Sequence, residues 1–381
     1  MSRIKILYGL EASGGGALKH LVYLVTKLNN KHFDITVILS NKRSENIESE
    51  IWKMRYYGTK VILMPIKRNI HIYDFIILIK LFFHIRSNKY DIVHAHSSKA
   101  GSLFRIAAWL NNVPKIYYTP HCFYFQGKQG LKKCLFVILE KMFGWITTGV
   151  IVSDGEKQEI LKYNLVQSKK IININNAIDF DEYNQSREIN ETKEKLAIKD
   201  NNFVVGAIGR LVYQKDWKTY IYAANEVLKK YPNVVFLIIG EGELYFEIKK
   251  LISDLNLEKK VILTGYIKDI YKIFGIIDVY VNTSLWEGLP YVFLEAMKYK
   301  KPIIATDTGN ETTIIHEETG FISPVKDYKT IADKIMMLIQ DKKMAFQMGV
   351  KGNEWLTEKY SFELFIRQHE MLYIIAGEPE Y

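Results

Sequence analysis

Cysteine is scarce in this sequence, whose 381 residues include only Cys122 and Cys134. Two cysteines cannot build a disulfide framework, and their spacing is not that of a metal-binding pair. A disulfide-stabilised domain is therefore excluded, and a reducing compartment is expected.

Long uninterrupted hydrophobic runs are also missing. The longest apolar stretch, Ile70–Ile85, contains four polar residues and is too short to span a bilayer unaided. The first apolar run, Met1–Leu10, leads into glycine-rich sequence rather than a cleavage site. We therefore expect no transmembrane helix and no signal peptide, and a cytoplasmic protein.

The charge is unevenly placed. The formal net charge is +10, but residues 1–180 contain 26 Lys and Arg against 12 Asp and Glu, which leaves +14 there and −4 in the rest. A basic half suits phosphate-bearing substrates, an anionic membrane or nucleic acid. No zinc finger, RNA-binding aromatic signature or basic heptad helix accompanies it, so nucleic acid is not an expected partner.

Short apolar runs recur between longer amphipathic segments, which is the pattern of buried parallel strands joined by crossover helices. The pattern stops near residue 174 and restarts at residue 203, so the sequence predicts two doubly wound α/β units in tandem. The first series of predicted strands is Ile4–Tyr8, Ile35–Leu39, Val61–Met64, Ile92–His94, Ile116–Thr119, Val150–Val152 and Ile171–Ile174. The second series is Phe203–Ile208, Val234–Ile239, Val261–Leu263, Val279–Asn282 and Ile303–Thr306.

A polar segment rich in Asn, Glu and Lys, Phe180–Asn202, separates the two series. It predicts domains of residues 1–179 and 180–361, with a hinge near Ala177–Tyr183. A C-terminal helix is expected within residues 362–381. It either returns to the first domain, which we favour, or stays with the second.

Gly14, Gly15 and Gly16 follow the first predicted strand and precede a helix predicted to begin near Ala17. Glycines at such a turn let backbone N–H groups approach an anion at the positive end of the helix dipole. The run lacks the spacing of a dinucleotide-binding motif, and a flexible turn explains it equally well. By itself it is a weak indication of a ligand.

The strand Phe203–Ile208 runs into a loop that carries Arg210 and Lys215. In an open α/β sheet, ligands bind beyond the carboxyl ends of the strands. A guanidinium fork and a movable ammonium suit a diphosphate that gains negative charge as it leaves. Two incidental cations in a solvated loop are an equal alternative.

Glu287 and Glu295 bracket the start of a predicted helix, because Pro290 suits its first position. The helix dipole alone explains Glu287. Glu295 lies in an apolar run, where a buried carboxylate needs a hydroxyl or cationic partner, such as the diol of a ribose.

The four charged residues of these two loops resemble those of the retaining family 4 glycosyltransferases of GT-B fold. That fold consists of two Rossmann-like doubly wound α/β domains with an interdomain cleft. Asp91–Gly101 and Thr119–His121 resemble segments of members that build bacterial capsule, exopolysaccharide or O-antigen units. The likeness extends over nearly the whole chain.

The resemblance implies a role for individual residues. The candidate catalytic residues are His121, Arg210, Lys215 and Glu287. Arg210 and Lys215 are expected to hold the donor diphosphate. Glu295 is expected to bind the ribose, and Glu287 the donor sugar, with His121 over that sugar.

The resemblance also implies further, less specific candidates. Further donor-binding candidates are Gly15, Gly16, Gly240, Gly242, Ile267, Gly288 and Leu289. His96 and Lys99 are acceptor candidates, with helix capping or solvation as alternatives. An interior, hydrogen-bonded position is favoured for His94.

Four features depart from the family's pattern. Asp216, Ala177 and Cys122 stand where the family usually has glycine, and the loop Thr308–Glu311 lacks the common glycine pair. None removes a charged contact, but the altered loop leaves the identity of the donor sugar open.

The resemblance implies that a sugar passes from a nucleoside diphosphate sugar, with UDP favoured, to a hydroxyl of a glycan or polyprenyl-linked acceptor, with retention. No Asp-x-Asp motif lies near a strand end, so neither a metal nor another cofactor is expected. Two other classes remain open: a GT-B sugar-nucleotide epimerase or phosphorylase, and a non-catalytic binding subunit.

The basic first half also predicts peripheral docking on the inner, anionic face of the cell membrane. Ile70–Arg86 and Lys128–Lys141 combine lysines with large apolar side chains. Ordinary packing of crossover helices on a sheet explains most of those apolar residues. The lysines are better explained by an anionic surface.

Overall fold

The computed structural model describes residues 3–12, 14–42, 47–67, 69–180, 186–309 and 312–377. The chain forms two compact units. Unit 1 consists of Met1–Asn176 and Phe362–Tyr381, and unit 2 of Ala177–Ser361. The part of the predicted hinge from residue 181 to 183 lies outside the described residues.

Unit 1 is built on a parallel sheet in the order β3-β2-β1-β4-β5-β6-β7. Its strands are continuous apolar runs because helices cover both faces of such a sheet. The strands are β1 (Ile4–Leu10), β2 (Phe33–Ser40), β3 (Lys60–Met64), β4 (Ile92–His96), β5 (Lys115–Thr119), β6 (Gly149–Val152) and β7 (Ile171–Asn173). The helices are α1 (Gly15–Lys27), α2 (Glu48–Tyr56), α3 (Tyr73–Asn88), α4 (Ser98–Leu110), α5 (Gly130–Ile146), α6 (Asp154–Tyr163) and the C-terminal α14 (Phe362–Gly377).

Unit 2 repeats this architecture with a parallel sheet in the order β10-β9-β8-β11-β12-β13. Its strands are β8 (Phe203–Ile208), β9 (Val234–Ile239), β10 (Val261–Gly265), β11 (Val279–Asn282), β12 (Ile303–Thr306) and β13 (Gly320–Ser323). Its helices are α7 (Ser186–Lys195), α8 (Trp217–Lys230), α9 (Tyr245–Asp254), α10 (Ile270–Ile276), α11 (Tyr291–Lys298), α12 (Tyr328–Gln340) and α13 (Lys342–Lys359).

The two doubly wound sheets confirm the predicted fold class. All predicted strands are present, but β13 was missed. Its four residues include only Phe321 and Ile322 as large apolar side chains, and it pairs with β12 alone at the edge of the sheet. A short edge strand therefore lacks the continuous apolar run that identifies the central strands.

The strand order reverses between β1 and β4 in unit 1 and between β8 and β11 in unit 2. At such a reversal the connections from the two strands run to opposite faces of the sheet, which leaves a crevice beyond their carboxyl ends. Each unit therefore offers one ligand-binding edge. Within the described residues, no helix is long and apolar enough to cross a membrane.

Candidate active site

In unit 2, two loops meet at the reversal of strand order: one follows β8 (residues 209–216) and one follows β11 (residues 283–290). Backbone and side-chain hydrogen bonds join them. Leu285 N donates to Gln214 O at 2.8 Å, and Thr283 Oγ1 donates to Lys215 O at 2.8 Å. These hydrogen bonds join two loops that are about 70 residues apart in sequence, at the edge of the sheet where the carboxyl ends of β8 and β11 meet.

Glu287 is the centre of this edge. Lys215 Nζ donates to Glu287 Oε1, and Ser284 Oγ donates to the same oxygen at 2.7 Å. The Gln214 side-chain amide approaches Glu287 Oε2 at 3.4 Å. Glu287 is buried and Lys215 largely so. The resemblance assigned these two residues to different parts of the donor, whereas the structure joins them in an ion pair.

Arg210 differs from Lys215 in that its side chain is exposed. Its backbone carbonyl accepts a hydrogen bond from Trp217 Nε1 at 3.1 Å, which ties the loop to the start of α8. Because Glu287 compensates the charge of Lys215, Arg210 is the more accessible cation of the two for a phosphate.

The loop after β9 packs directly on the loop after β8, and its glycines make this contact possible. A Cβ on Gly240 (φ 141°) would lie 2.0 Å from Gly209 O, and one on Gly242 would lie 2.5 Å from Leu211 O. Leu211 N also donates to Glu241 O at 2.8 Å. Both glycines thus support the Arg210 loop, a structural role in addition to the donor contact that the resemblance implies.

Neighbouring donor candidates lie on the same edge. The half-buried Ile267 follows Gly265, and Tyr266 N approaches Glu241 Oε1 at 3.4 Å. Gly288 and Leu289 are buried just before α11.

Glu295 lies on α11, and its position is close to the one predicted. Pro290 is the N-cap rather than the first residue of the helix, so α11 begins one residue later than expected. Glu295 is buried. Burial raises the pKa of the Tyr280 hydroxyl. The nearby Asn282 side chain opposes that shift, and the charges of Glu287 and Glu295 add to it. The Glu287 and Glu295 carboxylates therefore both lie close enough to the buried Tyr280 hydroxyl to influence its pKa.

In unit 1, the glycine run lies where the sequence places it. Gly14 is the extended N-cap of α1, and Gly15 has a φ of 66° that favours glycine. Gly15 and Gly16 are exposed, and open space surrounds the Cβ position of Gly15. The predicted start of the helix near Ala17 is two residues late.

His121 lies in a tight turn after β5 that a buried carboxylate fixes. His121 and the next residue, Cys122, have φ values of 51° and 89°. Glu156 Oε1 accepts from Cys122 N at 2.8 Å, while Glu156 Oε2 accepts from the N-cap residue Ser153. Burial raises the pKa of Glu156, although these donors oppose the shift. The capping box of α6 thus also holds the His121 turn.

The histidines of β4 have two different environments. His94 is buried with both ring nitrogens bonded, Nδ1 to the Tyr373 hydroxyl at 2.7 Å and Nε2 to Thr119 Oγ1 at 2.9 Å, so its predicted interior role is confirmed. His96 is also buried, with Nδ1 3.0 Å from Nε2 of His121.

Lys99, the other acceptor candidate, is largely buried. Its Nζ pairs with Asp74 Oδ1 at 2.8 Å and also donates to Asn69 O. Lys99 therefore joins α4 to the start of α3.

The structure brings together predicted residues that are distant in sequence. Arg210, Lys215, Glu287 and Glu295 share the edge of unit 2, and His96 and His121 meet in unit 1. Sequence reasoning missed His20 of α1, whose ring is 4.8 Å from that of His121, and His369 of α14. Neither lies in a motif, so no local signal identified them. Asn310 and Glu311 of the altered loop lie outside the described residues.

Two family models match this chain. Residues 188–355 match the family model of glycosyl transferases group 1, and residues 14–182 match that of glycosyltransferase family 4. A UDP-Gal:alpha-D-GlcNAc-diphosphoundecaprenol alpha-1,3-galactosyltransferase of Escherichia coli is 34% identical over 83% of this chain and 82% of its own length. The capsular polysaccharide biosynthesis glycosyltransferase CapM of Staphylococcus aureus is 28% identical over 91% of each chain.

A solved structure shares the fold. HepE of Anabaena, in complex with UDP and glucose, superimposes with a TM-score of 0.83 over 99% of this chain and all of its own, at 19% identity.

Proposed function

Because this chain belongs to the glycosyltransferase family that these two models describe, we propose that it transfers a sugar from a UDP-sugar to a lipid-linked glycan acceptor during synthesis of a bacterial surface polysaccharide. The observation that carries the proposal is the 34% identity to a transferase whose name gives a UDP-sugar donor and a diphosphoundecaprenol acceptor. The capsule enzyme from S. aureus supports the process, and the UDP bound to HepE supports the nucleotide of the donor.

We infer that the anomeric configuration is retained. The alpha linkage named for the E. coli relative is the product expected of retention from an α-linked UDP-sugar. The acceptor oxygen bonds to the anomeric carbon on the face from which the diphosphate leaves. A diphosphate oxygen accepts the proton of the acceptor hydroxyl.

In such a step the protein positions the donor and the acceptor and stabilises the negative charge that develops on the diphosphate. The exposed Arg210 would bind the leaving diphosphate directly. Lys215 would share its charge between Glu287 and the phosphate, and so link recognition of the sugar to departure of the nucleotide. These cations supply the stabilisation that a divalent ion gives elsewhere, so we expect no metal requirement at the diphosphate.

We propose that Glu287 and Glu295 divide recognition of the donor. Glu287, oriented by Lys215 and Ser284, would accept from the sugar hydroxyls. Glu295, from within α11, would accept from the ribose. In unit 1, His121 would act on the donor sugar, and the Glu156 carboxylate would hold its turn.

A donor screen tests the function. The purified chain is mixed with UDP-sugars and a polyprenyl-diphosphate-linked acceptor, with and without added Mg²⁺, and the linkage of the product is assigned by NMR. We expect acceptor-dependent transfer that does not require added Mg²⁺, and an α-linked product. Interconversion of sugar nucleotides or phosphorolysis without acceptor would identify the epimerase or phosphorylase class, and binding without turnover would identify a binding subunit.

The proposed assignment of Glu287 to the sugar and Glu295 to the ribose predicts that two conservative variants differ in UDP affinity and transfer rate. Glu295→Gln should weaken binding of UDP itself, because the ribose is its proposed partner. Glu287→Gln should leave UDP affinity almost intact and reduce kcat for transfer. Calorimetric titration with UDP, beside initial rates, distinguishes them, and equal losses of UDP affinity would contradict the assignment.

We also propose that unit 1 docks on an anionic membrane to reach the lipid-linked acceptor. One face of α5 carries an exposed apolar stripe, which consists of Leu131, Leu135, Ile138, Met142 and Trp145. On α3, Ile77, Leu81 and Ile85 pack in the core, whereas Phe75, Ile79 and Phe83 are exposed. Packing on the sheet therefore explains fewer of these apolar residues than the sequence suggested.

A further inference from the structure

Three histidines from separate elements of unit 1 meet at one point in its interior. His20 comes from α1, His96 ends β4, and His121 follows β5. One ring nitrogen from each lies within 4.8 Å of the others. The ring centroids are 4.8 to 5.5 Å apart. We call these residues the histidine triad.

The orientation of His20 is fixed by an amide. Its Nδ1 lies 2.8 Å from Asn176 Oδ1, an acceptor, so the proton must be on Nδ1 and the lone pair on Nε2. Nε2 is buried and has no hydrogen-bond partner among the described residues. A carbonyl oxygen on one ring nitrogen and an open lone pair on the other is the usual arrangement of a metal-ligating histidine.

His96 and His121 face each other in the same cluster, with His96 Nδ1 3.0 Å from His121 Nε2. A bound ion would replace this hydrogen bond and take both nitrogens as ligands, with the donor's proton on its other ring nitrogen. The buried Nε2 of His20, which has no partner in the described part of the chain, is costly unless a ligand satisfies it. Since His121 is partly exposed, the triad is open to solvent on its side.

The surroundings keep the imidazoles neutral. Burial lowers the pKa of His20 to about 4, and it lowers those of His96 and His121 well below the ordinary value. Neutral rings are the form that binds metal at physiological pH. Cys122, the nearest thiol in sequence, is not a member of the cluster.

We propose that the histidine triad is a binding site for a divalent late transition metal ion, with Zn²⁺ as the best-matched ion. Three imidazole ligands with a fourth, open position are a common zinc environment. Zn–N distances of about 2.0–2.1 Å place tetrahedral ligand nitrogens about 3.3 Å apart. The 3.0 Å between His96 Nδ1 and His121 Nε2 is already close to this spacing. The bound ion joins α1, β4 and the turn after β5, and so stabilises unit 1.

Zinc titration of the metal-free full-length chain tests the site. Calorimetry should give one ion per chain, and thermal unfolding should shift upwards with Zn²⁺. His20→Gln, His96→Gln and His121→Gln should each weaken binding by more than about 100-fold, and Asn176→Ala by about 10- to 100-fold. His84→Gln, a half-buried histidine of the same unit, and Cys122→Ser are the controls and should bind as the unaltered chain does.

X-ray absorption at the zinc edge of the unaltered protein gives a second measurement that needs no variant. We expect three imidazole nitrogens at about 2.0 Å in the first shell. Absence of stoichiometric binding, binding that survives all three substitutions, or a shell with fewer than three imidazoles would overturn the proposal.

Discussion

Two residues at the candidate sites, Cys122 and Asp216, stand where the resemblance implies glycine, and their backbone conformation is one that suits glycine. Their φ values, 89° and 45°, lie in the region that a side chain disfavours. Asp216 compensates locally, because Thr219 Oγ1 donates to its carboxylate at 2.7 Å and Thr219 N donates to its carbonyl. For Cys122, the backbone N–H donates to Glu156, a hydrogen bond that glycine would make equally well. The Cys122 side chain itself therefore does not compensate for the disfavoured φ.

Cys122→Gly should therefore make unit 1 more stable than Cys122→Ala does, by about 1 kcal/mol, because both variants lose the thiol but only glycine relieves the strained φ. Urea unfolding of the two variants measures the difference. Equal stabilities would show that the turn is not strained at this residue.

The Lys215–Glu287 pair is strongly coupled because both charges are largely withdrawn from water. Glu287→Gln should lower the free energy of unfolding of unit 2 by about 3 kcal/mol, since it leaves the Lys215 ammonium uncompensated. Adding Lys215→Met should recover at least about 1 kcal/mol of that loss without restoring transfer.

Hydrogen exchange of peptides from β8 and β11 follows the stability of this region, and transfer rates are measured beside it. Lys229→Met, which removes an exposed pair with Glu226, is the control and should change little. Additive effects of Lys215→Met and Glu287→Gln on stability would contradict the coupling.

At the scale of elements, the central strands were predictable and the loop contacts were not. An apolar run marks a strand buried on both faces, which is why Val234–Ile239 and Phe203–Ile208 were predicted with their exact bounds. The close packing of Gly240 on Gly209 depends on a left-handed φ and on two strands becoming neighbours. Neither property is visible in a run of apolar residues.

Helix α5 exposes its apolar stripe instead of burying it, and this observation sharpens the membrane proposal. The chain should co-sediment with anionic vesicles at low salt and much less at high salt, because screening weakens attraction between lysines and headgroups. Replacing Lys132 and Lys133 by Gln should weaken binding by about 2 kcal/mol, at about 1 kcal/mol per lysine.

Leu131→Gln combined with Trp145→Gln tests the apolar contribution, and Phe346→Gln, an exposed aromatic residue of unit 2, serves as the control. The proposal fails if anionic vesicles do not retain the chain at low salt, or if retention ignores both salt and lipid charge.

At the scale of the whole molecule, unit 1 is completed by the C-terminal helix. Phe365, His369 and Tyr373 of α14 are buried, and the Tyr373 hydroxyl bonds His94. Unit 2 is a single continuous segment, Ala177–Ser361, with a core of its own.

Deletion of residues 362–381 should therefore unfold unit 1 and spare unit 2, since each large buried side chain contributes about 3 kcal/mol or more. Hydrogen exchange should show lost protection in β1 and β4, while UDP still raises the melting temperature of unit 2. Tyr373→Phe is the matched control and should cost only about 1–3 kcal/mol, because it leaves the buried His94 Nδ1 without its hydrogen-bond partner. Loss of protection in both units would contradict their independence.

The sequence by itself determined the fold class, the order of the strands along the chain and the charged residues at the strand ends, because apolar periodicity and turn chemistry are local properties. Only the tertiary structure decided that Lys215 pairs with Glu287, that His20 joins His96 and His121, and that α14 belongs to unit 1. Each of these depends on the contact of segments far apart in the chain, which forms only when the sheets assemble and which no local pattern encodes.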